Sequence, residues 1–210
     1  MERTNLIQQL ERLEQPAQTS IATKHDFACA FRPMHLNKDQ QLSSQDASDR
    51  SLYFLQEGLL HLHKQNKNHQ KNKNENKRSS EILSLQFYSS GQFFSLSHHP
   101  QDSGPANIRL SALRPSQILA ASYQRLKATL QKDPQLFDII GALHQHWQEQ
   151  EHRRIELLTT SPATSRYQLL SETLGKDLYH IPRQLLARYL GISRKHLARI
   201  HYQQLLQQKT

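Results

Sequence analysis

Cysteine is almost absent from the sequence, and the motifs of several common enzyme classes are missing. Cys29 is the only cysteine, and one thiol cannot form an internal disulfide, a cysteine-based zinc site or an iron–sulfur cluster. There is no glycine-rich phosphate loop, no GxSxG and no HExxH motif. Cys29 and His35 could imitate a nucleophile and its base, but their neighbours are typical of strand packing. We therefore expect a protein that is not an enzyme and has no cofactor.

Apolar residues are also scarce. They make up 36% of the 210 residues, at a mean hydropathy of −0.78. No window approaches the roughly 18 apolar residues that cross a bilayer, and the first residues are polar, without the apolar centre of a signal peptide. The sequence thus predicts a cytoplasmic protein with no membrane partner, long enough for one large domain or two small ones.

Positive charge, by contrast, is abundant. The formal net charge is +9 and the isoelectric point is near 9.8, which favours an anionic partner such as nucleic acid. The charge is concentrated at the carboxyl end, where residues 161–210 contain eight lysines and arginines against two acidic residues. The alternative is that the excess charge only keeps the protein in solution.

The first part of the chain, residues 1–133, is predicted to be mainly β-structure after a short amino-terminal helix. Leu6, Ile7, Leu10 and Leu13 have helical spacing. Short apolar runs separated by turn residues then predict strands at 52–55, 59–63, 82–88, 93–94, 108–113 and 118–121. Residues 64–79 have no apolar residue and are rich in Lys and Asn, so a flexible loop is expected there. Strands that follow strands in this way favour a sandwich or a barrel.

A long helix is predicted next, within a segment at 134–160. Its apolar positions Leu136, Ile140, Leu143 and Trp147 step by four, three and four residues, which is the spacing of a coiled-coil contact line. We expect this helix to pair with its copy in a homodimer, with Ile140, Leu143 and Trp147 at the interface.

The last segment, residues 161–210, is predicted to be all helical, starting with a helix that Ser161 caps. Two further helices are expected around Gly191, which permits a tight turn with positive φ. Ser193 would cap the second of these helices, and Leu197 and Ile200 would bury its inner side. The outer side or amino-terminal end then carries four side chains suited to the major groove of DNA, namely Arg194, Lys195, His196 and Arg199. The alternative is an ordinary helical hairpin with a basic face.

With these motifs placed, residues 31–206 resemble the Crp/Fnr family of bacterial transcription regulators. Residues 51–58 (SLYFLQEG) resemble a family strand that ends in glycine, residues 89–94 (SSGQFF) resemble the turn before the ligand-binding segment, and residues 183–194 (RQLLARYLGISR) follow the family's helix-turn-helix. The resemblance implies an α+β protein with a jelly-roll sensor barrel, a dimerisation helix and a DNA-binding domain. By position, it assigns base reading to Arg194, Lys195 and Arg199. It assigns phosphate contacts to Arg183, Gln184 and Ser193, to which we add His196.

Two departures from the family pattern limit what the resemblance implies. Ser95-Leu96 and Ala106-Asn107 stand where nucleotide-binding members have Gly-Glu and Arg-Ser, so the charged anchors for a cyclic nucleotide are missing. Any effector pocket is expected to involve Ser95, Leu96, Asn107 and Arg109, and its ligand, if there is one, stays unknown. The chain also continues only briefly beyond the second helix, so little or no β-wing is expected.

The histidines raise the question of a metal site, and the resemblance raises the question of binding partners. His61 and His63 share a strand face, but no set of three or four converging ligands is visible among the thirteen histidines, so no metal site is expected. A regulator of this kind would bind double-stranded DNA and could contact RNA polymerase. The competing hypothesis is a ligand-binding or protein-interaction module whose DNA-binding helices bind without specificity.

Overall fold

The structure is a computed structural model that describes residues 3–13, 19–43, 51–66, 81–96 and 108–207. Two helices, α1 (Thr4–Leu13) and α2 (Ile21–Cys29), precede eight strands. The strands are β1 (Arg32–Leu36), β2 (Gln41–Ser43), β3 (Ser51–Glu57), β4 (Leu59–Asn66), β5 (Glu81–Ser89), β6 (Phe93–Ser95), β7 (Ile108–Ala112) and β8 (Ser116–Ser122). Helices α3 (Tyr123–Lys132), α4 (Leu136–Thr159), α5 (Ala163–Leu174), α6 (Arg183–Tyr189) and α7 (Arg194–Gln207) follow, with a 3-10 turn at Gly175–His180 between α5 and α6.

The described strands form two antiparallel four-stranded sheets. Their orders are β1-β8-β3-β6 and β2-β7-β4-β5. Alternating side chains from both sheets, among them Leu55, Leu60 and Phe94, fill the space between them. The mixed α/β class and the antiparallel strands are as predicted. Of the predicted sandwich or barrel, the described residues form the sandwich, with two separate sheets.

Strands β3 to β8 have bounds close to the predicted ones, whereas β1 and β2 were not predicted, and one boundary changes at the Lys/Asn segment. Strand β4 continues to Asn66 and pairs with β5 there, so residues 64–66 belong to a strand instead of a loop. Residues 67–79 lie outside the described part of the chain. Gly58, between β3 and β4, has a φ of +127°, and a Cβ there would overlap Ser116 on β8, so this close approach requires glycine.

The amino-terminal helices are part of the core. The predicted α1 is confirmed, whereas α2 was not predicted from the sequence. Ser20 caps α2 by accepting a hydrogen bond from Thr23 N at 3.1 Å. Leu6, Leu10 and Phe27 are at most 1% exposed and pack against β3, β6 and the first half of α4.

The carboxyl-terminal helices share their core with the sheets. Leu59 of β4 and Phe87 of β5 belong to the same apolar cluster as the buried faces of α5, α6 and α7. Arg114 before β8 donates to Asp177 in the 3-10 turn at 3.1 Å. The predicted Ser161 cap is wrong, because α5 begins one residue later, with Pro162 at the cap position and no side-chain cap.

Candidate DNA-contacting helices and effector cavity

Helices α6 and α7 meet at a tight turn centred on Gly191. The turn has a φ of +65° at Gly191, and Ile192 N donates to Ala187 O at 3.0 Å. Ser193 then accepts a hydrogen bond from His196 N at 3.1 Å, so it caps α7 as the sequence predicted. The cap and the turn fix the direction in which α7 leaves α6.

The two faces of α7 differ sharply. Leu197 and Ile200 are each 1% exposed and pack against α5 and α6, whereas Arg194, Lys195 and Arg199 are exposed. On α6, Arg183 and Gln184 are exposed as well, and His196 is half-buried. The predicted DNA-contacting residues therefore lie on a solvent-facing surface that α6, the turn and the start of α7 form together.

Tyr202 also lies on this surface and was not among the predicted residues. Lys195, Arg199 and Tyr202 are spaced by four and three residues, which places them along one side of α7. Tyr202 is 64% exposed, and its hydroxyl can donate to a phosphate or a base edge. The i, i+4, i+7 spacing from Lys195 was the signal that could have revealed it.

The predicted dimer residues face inward within one chain. Leu143 has no exposed surface and packs with Leu6 and Phe31, while Ile140 and Trp147 pack at the edge of the same cluster. Trp147 Nε1 donates to Phe93 O of β6 at 3.1 Å. A second chain cannot reach Leu143 in this conformation. The exposed apolar residues of α4 are instead Phe137, Ile155 and Leu158.

A cavity of about 450 Å³ opens between β4, β5, β6 and the second half of α4. Its walls are mainly apolar, and its polar lining comes from Ser84, Gln86, Ser95, Gln150, Glu151 and Arg154. Of the predicted pocket residues, Ser95 lines this cavity. Leu96 is buried in the core between the sheets, Arg109 is exposed and donates to Gln41, and Asn107 lies outside the described residues.

Tyr189, the last residue of α6, is held by side chains of the cavity wall. Its hydroxyl donates to Gln86 Oε1 at 2.7 Å, and its ring lies 4.7 Å from that of Phe87. The guanidinium of Arg154 stands 3.5 Å above the Tyr189 ring, a cation–π contact. Burial raises the pKa of the Tyr189 hydroxyl, and Arg154 opposes that rise, so the hydroxyl stays protonated and can donate.

Two buried histidines also lie next to the cavity. His61 stacks between His63 and Phe87, and its Nε2 is 2.7 Å from Ser84 Oγ. Burial, and secondly the neighbouring His63, lowers the pKa of His61 to about 3.

Among the described residues no three His, Cys, Asp or Glu side chains converge in a way that could hold a metal ion. In the same part of the chain, no helix is both long and apolar enough to cross a membrane.

Comparison with solved structures shows which fold this is. The chain is similar to the c-di-GMP responsive global regulator CLP of Xanthomonas campestris, at 17% identity and a TM-score of 0.61, with 90% of this chain and 93% of that chain covered. It is similar to a cyclic nucleotide-binding domain containing protein of Listeria monocytogenes EGD-e, at 13% identity, a TM-score of 0.62 and coverage of 97% and 91%. FixK2 of Bradyrhizobium japonicum matches at 16% identity, a TM-score of 0.60 and coverage of 84% and 85%.

These likenesses confirm the predicted resemblance to Crp/Fnr regulators at the level of the fold, over nearly the whole chain. No protein-family model matches the sequence, and no curated protein has a significantly similar one. The function is therefore inferred from the fold and from the positions of the residues on it.

Proposed function

We propose that this protein is a homodimeric, sequence-specific DNA-binding transcription regulator of the Crp/Fnr type that works in the cytoplasm and does not respond to a cyclic nucleotide. The observation that carries the proposal is the capped helix α7, whose buried face is apolar and whose free face presents Arg194, Lys195 and Arg199 to solvent. A fold shared with a global regulator supports it.

In this proposal α6 and α7 form a helix-turn-helix, and α7 enters the major groove. Arg194, Lys195 and Arg199 contact base edges, because a guanidinium can donate to both O6 and N7 of guanine. Arg183, Gln184, Ser193 and His196 contact phosphates around them, which fixes the register without reading sequence. Tyr202 extends the contact surface by one turn of α7.

The homodimer forms through the exposed side of α4, not through the residues that the sequence suggested. Phe137 and Ile155 are 18 residues apart, which is five turns of an α-helix, so they lie on one face with Leu158 close by. A twofold dimer would present two α7 helices about one turn of DNA apart.

The sandwich serves as the sensor in this proposal. Its strand orders are those expected for a jelly roll, and the cavity between it and α4 is the effector site. Leu96 stands where nucleotide-binding relatives have glutamate and is buried between the sheets, and Arg154 is the one basic side chain of the cavity lining. An effector would act by binding one arrangement of the dimer more tightly than another.

The test is fluorescence anisotropy of the purified protein with its own upstream DNA and with a scrambled duplex, at two salt concentrations. We expect the native duplex to bind about tenfold more tightly, or about 1.4 kcal/mol, and both Arg194→Ala and Arg199→Ala to abolish this preference. Arg125→Ala, which removes an exposed charge from α3, is the matched control and should keep it.

The opposite outcome would favour a different class of protein. Equal, steeply salt-dependent binding to both duplexes comes from phosphate contacts alone. If selection from random duplexes then also yields no preferred site, the sequence-specific function is wrong, and an interaction module is the better interpretation.

A further inference from the structure

The outer side of α4 carries an unbroken line of exposed residues. From one end of the helix to the other, these positions follow one another by alternating steps of four and three residues. Such a stripe drifts by only about 20° per heptad on a straight helix, so a second helix can follow it by supercoiling slightly. We call these positions the outer line, and all of them are exposed: Phe137, Gly141, His144, Gln148, Glu151, Ile155 and Leu158.

The outer line is apolar at both ends and polar in the middle. Phe137 at one end is 64% exposed, and Ile155 and Leu158 at the other end are 59% and 46% exposed. A contact between two helices would bury these large side chains, which favours pairing. The positions between the two ends would be buried by the same contact, and three of them are polar: His144, Gln148 and Glu151.

Two copies of α4 can pair along the outer line in two orientations, which bring different charges together. In the parallel orientation each residue lies opposite itself, so His144 meets His144 and Glu151 meets Glu151 of the second copy. In the antiparallel orientation Gln148 again meets itself, but His144 meets Glu151. The antiparallel pair would therefore gain an attraction where the parallel pair has two repulsions.

The position of the DNA-contacting helices favours the parallel orientation. Helix α4 has 24 residues and is about 36 Å long, and the chain continues from its carboxyl end into α5, α6 and α7. An antiparallel pair would place the two α7 helices near opposite ends of this length. Only a parallel pair presents both of them to one duplex.

We propose that α4 pairs in parallel and in register with α4 of a second copy along the outer line, and that protonation of His144 opens this contact. The inference rests on the proposed function and deepens it, because it gives the homodimer an orientation and a condition that controls it. Gln148 at the centre can form a hydrogen bond with its copy, and a polar residue at such a position fixes the register of a coiled coil.

The effect of acid follows from the like-charge pair. An imidazole without special partners takes up its proton as the pH falls through about 6.5. Two neutral imidazoles at the contact do not repel each other, whereas two imidazolium ions do. The separated chains therefore bind protons more readily than the dimer, and acid favours the monomer.

Other ionisable groups surround His144. On the outer line Glu151 lies seven residues away, about 10 Å along the helix axis, and His152 stands beside Glu151. Protonation of His152 offsets the charge of Glu151 and so does not add to the repulsion. Helices α1, α2 and α3 pack against α4, and their exposed ionisable side chains include Glu11, Arg12, His25, Asp26, Arg125 and Lys127.

Sedimentation velocity of the full-length protein at about pH 7.5 and about pH 5.5 tests the proposal. We expect the dissociation constant of the native dimer to rise about tenfold at the lower pH, the effect of one repulsive charge pair near a protein surface. His144→Gln should remain a dimer and lose this dependence. His35→Gln, which removes an exposed histidine from β1, is the matched control and should keep it. Equal behaviour of the two variants would overturn the assignment to His144.

Glu151→Gln distinguishes the two orientations. In the parallel dimer it removes a like-charge pair, so it should tighten the dimer several-fold at about pH 7.5 and leave the acid dependence in place. In an antiparallel dimer the native protein would instead associate more tightly in acid, through His144 and Glu151, and Glu151→Gln would abolish that gain. Such a result would overturn the parallel contact.

These measurements separate the inference from the proposed function. A native protein that is monomeric at both pH values at micromolar concentration would refute the homodimer itself, whereas a dimer that tightens in acid would refute only the parallel contact. No DNA is present, so sequence-specific binding by α7 is tested independently. Circular dichroism in the same buffers monitors the fold, and because His144→Gln retains His61, any effect of acid on the sandwich is common to both proteins.

Discussion

At the scale of the residue, Gly191 sets the geometry of the turn between α6 and α7. Its φ of +65° lies in the left-handed region, and the nearest heavy atom to an added Cβ would be Leu158 Cδ2 at 4.0 Å. Space is thus available, and the cost of a side chain comes from the backbone alone. The sequence revealed this turn because glycine and the following Ser193 cap are local signals.

We expect Gly191→Ala to lower the free energy of unfolding by about 1–2 kcal/mol, the cost of holding an alanine in the left-handed conformation. Urea denaturation monitored by circular dichroism measures it. Gly191→Asn is the matched variant and should cost less, because asparagine enters this region more readily. Equal losses in both variants would mean that side-chain contacts, not the backbone, set the requirement for glycine.

A second residue-scale prediction concerns His61 and pH. Its pKa is about 3 in the folded chain, against 6.5 for a free imidazole, so the unfolded state binds the proton more readily. The stability is therefore fully present above pH 6.5 and is lost as the pH falls from there towards 3. Between pH 7 and pH 5 we expect His61 to remove about 2 kcal/mol of unfolding free energy.

Urea denaturation at both pH values, for the native protein and His61→Phe, tests this prediction. The phenylalanine keeps a ring next to Phe87 but cannot take up a proton. His63 and His146, whose pKa values burial also lowers, contribute in both proteins, so the difference between the two pH dependences reports His61. Identical pH dependences would show that the site is solvated when folded.

At the scale of the element, α4 shows what a periodic pattern does and does not determine. The three- and four-residue spacing correctly predicted a long helix with an apolar side. It could not tell whether the chain's own sheet or a second chain covers that side, because both surfaces are apolar. Likewise, α2 was missed because its residues 21–29 (IATKHDFAC) show little periodicity, and its cap and the packing of Phe27 determine the helix.

The exposed side of α4 indicates which substitutions should weaken the proposed dimer. Phe137→Lys and Ile155→Lys should each shift the proposed dimer towards monomer at micromolar concentration, because a lysine within the contact loses its hydration. Analytical ultracentrifugation measures the shift. Tyr123→Lys on α3 changes a similarly exposed large side chain and should leave the dimer intact. A dimer unaffected by both α4 substitutions would place the interface elsewhere.

At the scale of the whole molecule, the sandwich and the carboxyl-terminal helices share one apolar cluster. The sequence assigned these parts to separate segments, 1–133 and 161–210, since periodicity is a local property. It could not show that Phe87 of β5 packs into the helical cluster, because nothing in a strand pattern identifies the partner of its outer face. Of the residues that line the cavity, only Ser95 was predicted, for the same reason: the walls come from distant parts of the chain.

This shared cluster predicts how the protein unfolds. The native chain should show a single thermal transition in differential scanning calorimetry, whereas Phe87→Ala should lose about 3–5 kcal/mol of stability, as large-to-small core substitutions do, and separate into two transitions. Phe94→Ala, which removes a fully buried ring from between the sheets, should lower stability without separating them. Separation in both variants, or in neither, would contradict the role assigned to Phe87.

The two halves of α4 differ in how firmly they are attached. Leu136, Ile139 and Leu143 are all buried in the first half, but Leu157 is the only buried side chain in the second. The first half of α4 is therefore held by several buried contacts, whereas the second half has one buried side chain and lies beside the cavity. A rotation of the entire helix about its axis would have to break the contacts with α1 and α2, whereas bending beyond Gln150 breaks few. We expect such a bend to move α7 as well, because Leu157 shares an apolar cluster with Leu197 and Ile200.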